Sequence, residues 1–240
     1  MIRIAVVTGA AGGLGRAITS QLIQDGLHVV GLDVDAGGLE DMHQSGFTAK
    51  VCDLTQPDAI HAVFEGIRTD HGGVDALVNN AGTCFMSSFP NIPATELDRQ
   101  MSVNFHSAFH CCQEAIKLMD GRDGVRKIVN ISSNGAYNFD VFDPPHYRAS
   151  KAAMDTLTKD LARRYARDRI AVNSLAPAMT ETPLFNVVSK EVLETAIAQM
   201  PHDRAMQPSE VASWVSFLIS AKGDICSGNV IILNQGRDVR

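Results

Sequence analysis

Ile2-Arg3-Ile4-Ala5-Val6-Val7 runs straight into Thr8-Gly9-Ala10-Ala11-Gly12-Gly13-Leu14-Gly15, which leads to Arg16-Ala17-Ile18-Thr19-Ser20-Gln21-Leu22-Ile23. The first run is apolar and rich in β-branched residues, as a buried parallel strand would be. In the third, Ala17, Ile18, Leu22 and Ile23 recur at helical spacing. The glycines between them allow unusual backbone angles and a close approach by a ligand. A helix N-terminus just beyond such a turn presents unpaired N–H groups and the positive end of a dipole, which suits a pyrophosphate. A turn that merely uses glycine is the plainer reading, and the flanking strand and helix weigh against it.

Working outward, the same alternation continues to the end of the chain. Strands are predicted over 28–32, 47–51, 74–78, 127–132, 170–175 and 229–233, and helices over 36–43, 57–71, 95–119, 147–167, 190–200 and 210–219. The long helix at 95 carries a capping-box pattern, Thr95-Glu96-Leu97-Asp98, and an apolar stripe of Leu97, Met101, Ala108, Ala115 and Met119. About seven strands alternating with helices specify an α/β fold: a parallel sheet of Rossmann type, covered by helices on both faces in three layers. No linker, repeat or low-complexity tract divides it, so residues 1–240 read as a single domain. Pro183, Pro201 and Pro208 flank one short helix in a segment at about 178–208, which reads as a lid over a site.

The 240 residues are 45% hydrophobic and 20% charged with a net charge of −6, which favours neither nucleic acid nor an anionic membrane as a partner. No apolar run approaches a membrane span. The basic cluster Arg163, Arg164, Arg167 and Arg169 falls at a helix end, where it complements the dipole. Five cysteines show no CxxC pair, and Met1-Ile2-Arg3 leads directly into a strand, so reduced thiols in the cytoplasm are expected. His106 and His110 are four apart without a third ligand, and no metal site is expected.

Ligands bind where parallel strands end, and several strand ends here carry polar residues. Asp33 follows the second strand, where a carboxylate can accept from adenosine ribose hydroxyls and repel the extra phosphate of NADP. Val34 offers no guanidinium to that phosphate, which makes NAD the expected cofactor; a cap for the helix after it is Asp33's other reading. Asp53-Leu54 follows the third strand and Asn79-Asn80-Ala81-Gly82 the fourth, the latter also readable as a tight turn. Asn104 lies on the apolar stripe of its helix, where its amide needs partners; these are structural or hold a water chain.

After the fifth strand come Ser132 and Ser133, then Pro144-Pro145-His146-Tyr147-Arg148-Ala149-Ser150-Lys151. The prolines suit a helix entry, which places Tyr147 and Lys151 on one face, a turn apart. A phenol with a pKa of about 10 is a poor base. An ammonium beside it favours the ionised form, so the pair can exchange a proton with an alcohol near neutrality. Either serine can hydrogen-bond the oxygen brought to Tyr147. Such a Tyr–Lys spacing also arises by chance, and it gains weight only from the dinucleotide site at the other end of the chain.

In order, Thr8-Gly9, Gly13-Leu14-Gly15, Asp53, Asn79-Asn80-Ala81-Gly82, Asn104, the serine pair, Tyr147 with Lys151, and Asn173 with Pro177 resemble the short-chain dehydrogenase/reductase family of single-domain type over nearly the whole chain. The resemblance implies an NAD-dependent oxidoreductase interconverting a secondary alcohol and a ketone. It makes Tyr147 the proton donor or acceptor, has Lys151 lower its pKa and hold the nicotinamide ribose, and has Ser133 orient the reacting oxygen and Asn104 support a proton relay. Gly9, Gly13 and Leu14 would line the pyrophosphate, Asp53 and Leu54 the adenine, and Asn80, Ala81 and Gly82 the adenosine side and nearby ribose. Pro177, Thr180 and Thr182 would fix the carboxamide.

The substrate walls are expected from Cys84, Phe85, residues 134–142, His146, Met179, Leu184 and Phe185. The family is commonly oligomeric, and a homotetramer or dimer through the helices at 95–119 and 147–167 is implied. A 3-oxoacyl-carrier-protein reductase is the enzyme alternative, with Arg126, Lys127 and Arg167 as candidates to meet an acidic carrier. A dinucleotide-binding regulator without turnover is the alternative of another class.

Three features depart from the family pattern. Tyr147 stands 14 positions beyond Ser133, about one more than usual, so Ser132 stays open as the catalytic serine. Pro177 is followed by Ala178 in place of glycine, and Asn234-Gln235-Gly236 replaces a frequent pair of glycines.

Overall fold

The computed structural model describes residues 2–138 and 144–238. In chain order it runs β1 (Ile4–Thr8), α1 (Gly13–Gln24), β2 (His28–Asp33), α2 (Ala36–Glu40), β3 (Phe47–Val51), α3 (Pro57–His71) and β4 (Ala76–Asn79). Then come α4 (Ala94–Met101), α5 (Ser107–Met119), β5 (Arg126–Ile131), α6 (Pro145–Arg164), β6 (Ile170–Pro177), α7 (Lys190–Ala198), α8 (Pro208–Ile219) and β7 (Val230–Leu233). The strands form one parallel sheet in the order β3-β2-β1-β4-β5-β6-β7. Strand order reverses between β1 and β4, which opens a crevice at their carboxyl ends.

Successive side chains of a strand point to opposite faces, and the core divides accordingly. Ile4 and Val6 pack with Val30, Leu77, Phe64 and Ile67 on one face, while Ala5 and Val7 pack with Val29, Val78, Ile18 and Leu22 on the other. Both faces of β1 are therefore covered, which is why its sequence is continuously apolar instead of alternating. Ile2, expected in the strand, is outside it and exposed.

Two helix expectations are corrected. The long helix at 95–119 is interrupted: α4 and α5 are joined by a π-helical turn over Ser102–His106. An extra residue in that turn rotates the faces relative to each other, so Leu97 is exposed while Ala108, Ala115 and Met119 are buried. Nor does Thr95 cap α4. The N-cap is Pro93 without a side-chain bond; Glu96 instead accepts from Ser87 Oγ at 2.7 Å.

Candidate active site

The glycine turn sits at the crevice. Gly9 has φ 64°, and a Cβ there would fall 2.8 Å from Ala81 Cα. A Cβ on Gly15 would lie 2.0 Å from Gly9 O, so the turn folds onto α1 only with glycine there. Gly12, the N-cap of α1, supplies no side-chain cap, which leaves the first N–H groups of the helix for a ligand. Asn80 fastens β4 to this turn: its Nδ2 donates to the carbonyls of Thr8 and Gly9, each at 3.0 Å. Thr8 Oγ1 accepts from the N–H groups of Asn80 and Ala81, also at 3.0 Å. The Asn-Asn-Ala-Gly segment is thus a structural tie as well as a wall of the crevice.

Asp33 does not cap α2. That role belongs to Asp35, whose Oδ1 accepts from Gly38 N at 3.0 Å. Asp33 Oδ2 accepts from Ala11 N at 2.9 Å, which holds the carboxylate at the edge of the glycine turn. Asp53 Oδ1 accepts from Thr55 N and Oγ1 at 2.9 and 2.7 Å. Those bonds lower its pKa, aided by the charge of Arg99.

At the other end, α6 begins at Pro145 behind Pro144, which sets Tyr147 and Lys151 one turn apart. Lys151 Nζ lies 6.0 Å from the Tyr147 ring centroid and donates to Ile131 O at 2.8 Å. Lys151 is buried, which lowers its pKa to about 8 against the opposing pull of Asp155 and Cys84. The two serines differ. Ser132 lines the cleft beside Ser133, but its Oγ donates to Asp155 Oδ2 at 2.9 Å. Ser133 Oγ accepts from Gly135 N at 3.0 Å, and its own hydrogen remains to be donated.

Asp155, buried beside them, also receives Tyr137 OH at 2.8 Å; burial nevertheless raises its pKa. Asn104 sits in the π turn and is fully buried. Its Oδ1 accepts from Thr83 N at 2.8 Å, and its Nδ2 donates to Thr83 O and Ser150 Oγ, both at 3.0 Å. A Cβ on Gly82 would lie 3.4 Å from Lys151 Nζ and 3.6 Å from Asn104 Oδ1, so these groups converge on the space that glycine leaves.

A family model described as Enoyl-(Acyl carrier protein) reductase matches residues 9–238. The chain belongs to the short-chain dehydrogenase/reductase family. An acetoacetyl-CoA reductase of Acinetobacter sp. is 32% identical, covering 98% of this chain and 97% of its own. A 3alpha-hydroxysteroid dehydrogenase of Mediterraneibacter gnavus is 30% identical over 95% of this chain and 94% of its own. Among solved structures, the aldohexose dehydrogenase of Thermoplasma acidophilum superposes with a TM-score of 0.89 at 30% identity, covering 100% of this chain and 95% of that one.

This short-chain dehydrogenase/reductase is an oxidoreductase, and its family implies NAD(P) as cofactor. Its residues fit a dinucleotide: a turn rich in glycine, an uncapped helix start, and a continuous cleft of about 1020 Å³ from there to Tyr147. That cleft is lined by Gly9, Gly13, Leu14, Asp33, Asp53, Leu54, Asn80, Ala81 and Gly82, and farther on by Cys84, Ser133, Tyr147, Lys151, Pro177, Met179, Thr180, Thr182 and Leu184.

Six expected residues are not on the wall, among them Ala136, Tyr137 and Asn138. Asn104 lies behind it. Phe85 lies under Arg99, 5.6 Å from the guanidinium carbon to the ring centroid. His146 is buried with Nε2 3.2 Å from Glu96 Oε1; it points between α6 and α4 because it precedes Tyr147 and so takes another face of the helix. Of the expected wall 134–142, residues 139–142 are outside the described residues. Unforeseen wall residues include Met86, Arg99, Val188 and Arg237. None belongs to a contiguous motif.

Proposed function

We propose that this protein interconverts a secondary alcohol and the corresponding ketone with NAD, and that residues 1–240 act as one catalytic unit with a lid at about 178–208. The observation that carries the reading is the pairing of Tyr147 with a buried Lys151 in the same cleft as the glycine turn. When bound, the nicotinamide supplies or accepts the hydride, chemistry that belongs to the cofactor. Tyr147 takes the alcohol proton, or returns it to the ketone oxygen. Ser133 donates a hydrogen bond to that oxygen and holds it at the phenol. Lys151, charged below about pH 8, favours the phenolate and binds ribose hydroxyls, and Asn104 keeps the loop at Thr83 against α6.

Asp33 supports NAD over NADP, since it lines the cleft at the end of β2, where a carboxylate would repel a 2′-phosphate, and Val34 beside it brings no guanidinium. Pro183 sits on the glycine turn, where a Cβ on Gly13 would be 2.7 Å from its Cδ, as a lid segment should. Exposed Leu97 and Phe109 on α4 and α5, with Trp214 and Phe217 on α8, support assembly into a dimer or tetramer. No disulfide joins any of the five cysteines among the described residues, which fits the cytoplasm. No described helix is long and apolar enough to cross a membrane.

A carrier-protein substrate is the second reading, favoured by a 3-oxoacyl-[acyl-carrier-protein] reductase of Vibrio cholerae at 31% identity, over 98% of this chain and 96% of its own. Two of the cations it would use are turned inward. Arg126 donates to the carbonyls of Arg122, Gly124 and Asp168, and Lys127 lies 2.7 Å from Asp224. The test is to mix the protein with NAD or NADP and a panel of secondary alcohols and follow reduced-cofactor absorbance. NADH formation on at least one alcohol is expected; tight dinucleotide binding without turnover on any would replace the enzyme reading by the regulator.

A further inference from the structure

The segment after β7 closes the reacting end of the cleft. Asp238 Oδ2 accepts from Asn134 Nδ2 at 3.1 Å and Asn138 Nδ2 at 2.8 Å, both in the turn that follows Ser133. Between that turn and the lid stands Arg237. Its Nη2 donates to Gln199 Oε1 at 2.6 Å, and its Nε lies 4.0 Å from Asp238 Oδ2. The guanidinium is thus two contacts from the residue next to Ser133, and Arg237 is one of the residues lining the cleft.

The charges along the cleft are not spread evenly. Its lining carboxylates are Asp33, Asp53 and Asp98. Asp33 ends β2 and Asp53 follows β3 at the adenosine end, and Asp98 adjoins Arg99, whose charge acts on Asp53. At the reacting end the lining cations are Lys151 and Arg237, and among the described residues no lining carboxylate faces them. Lys151 already serves Ile131 O and is buried. Arg237 meets one neutral amide and a carboxylate already shared by two asparagines. Among the described residues its positive charge is therefore incompletely answered.

We propose that Arg237 binds a carboxylate on the substrate, so that the preferred substrate is a short hydroxy acid or oxo acid instead of a neutral alcohol. This rests on the redox reading above and adds the substrate class. The planar guanidinium offers paired donors that match a carboxylate. With Ser133 and Tyr147 on the reacting oxygen, the second anchor fixes which carbon is presented. A structural clasp between lid and tail is the competing role, since Gln235 also holds the lid through His202 N and Arg204 O at 3.0 and 3.1 Å.

The experiment compares 2-oxobutanoate and 3-oxobutanoate with their methyl esters, using wild type, Arg237→Gln and Arg237→Lys. The acid should exceed its ester in kcat/KM by about tenfold or more in the wild type, as for a charged hydrogen bond. Arg237→Gln should bring that ratio to near one, and Arg237→Lys should keep part of it. A wild-type ratio near one, or a ratio that Arg237→Gln leaves unchanged, would overturn the proposal. Calorimetric titration of the cofactor-loaded protein with the same pairs separates the two readings. Acid binding that exceeds ester binding and disappears in Arg237→Gln sustains the carboxylate site even if no pair turns over, a result that would sink the redox reading alone. Equal binding of acid and ester overturns the site whatever the turnover.

Discussion

The two ends of the cleft are built in different ways. At the glycine end the wall is backbone: Gly9 and Gly15 are set by approaches of 2.8 and 2.0 Å that no side chain tolerates. The residues that matter are contiguous, and one turn makes the site. At the reacting end the wall is side chains from the end of β5, α6, the loop after β4 and the tail beyond β7. Partners far away in sequence hold this end: Asn104, behind the wall, is fixed by Thr83 and Ser150, Ser132 by Asp155, and Asn134 by Asp238. Changes at the first end should alter which dinucleotide binds; changes at the second should alter rate.

Tyr147→Phe breaks that contrast most sharply. It should lower kcat by about a thousandfold while NAD affinity, read by fluorescence titration, stays nearly the same; comparable rates would remove Tyr147 from the chemistry. The serine pair sharpens it. Ser133→Ala should lower kcat by about a hundredfold, as loss of a donor to a developing oxyanion does. Ser132→Ala should act mainly on the melting temperature, because it strips a donor from buried Asp155. Reversed effects would exchange their roles.

Asp33→Ala tests the first end: the NADP to NAD ratio of kcat/KM should rise by about tenfold, because a like charge is removed. An unchanged ratio would leave the carboxylate as only a tether for Ala11.

The smallest effect concerns Lys151 in the protein without cofactor. Burial lowers its pKa from 10.5 to about 8, so the folded state disfavours the ammonium. Between those values the unfolded chain holds more protons, and this group's penalty to folding is full below pH 8 and fades as pH rises. The gain in unfolding free energy of Lys151→Met over wild type should therefore shrink between about pH 8 and 10.5. A gain independent of pH would mean the amine is solvated.

How much of this was legible depended on whether the determining residues were neighbours. The sheet and the glycine turn rest on contiguous patterns, and they appear in the structure nearly where the sequence placed them, with β3 and α3 at the same bounds. Asp33 stayed ambiguous because a cap and a cofactor residue both stand at a strand end, and only the bond that Gly38 N donates to Asp35 Oδ1 assigns the cap. The π turn was hidden because helical periodicity assumes an unbroken ladder, and it decides where Asn104 points. His146 was expected on the substrate wall, but it is next to Tyr147 on α6, and neighbours on a helix diverge. Arg237 had no motif at all. Its one trace was the departure at Asn234-Gln235-Gly236, just before it.

A crystal structure of the protein with NAD bound is the most direct measurement. The expected result is the redox ring against Tyr147, Lys151 Nζ on the ribose, and the adenine between Asp53 and Leu54. A ring bound away from Tyr147, or Lys151 turned to bulk water, would contradict the proposed chemistry.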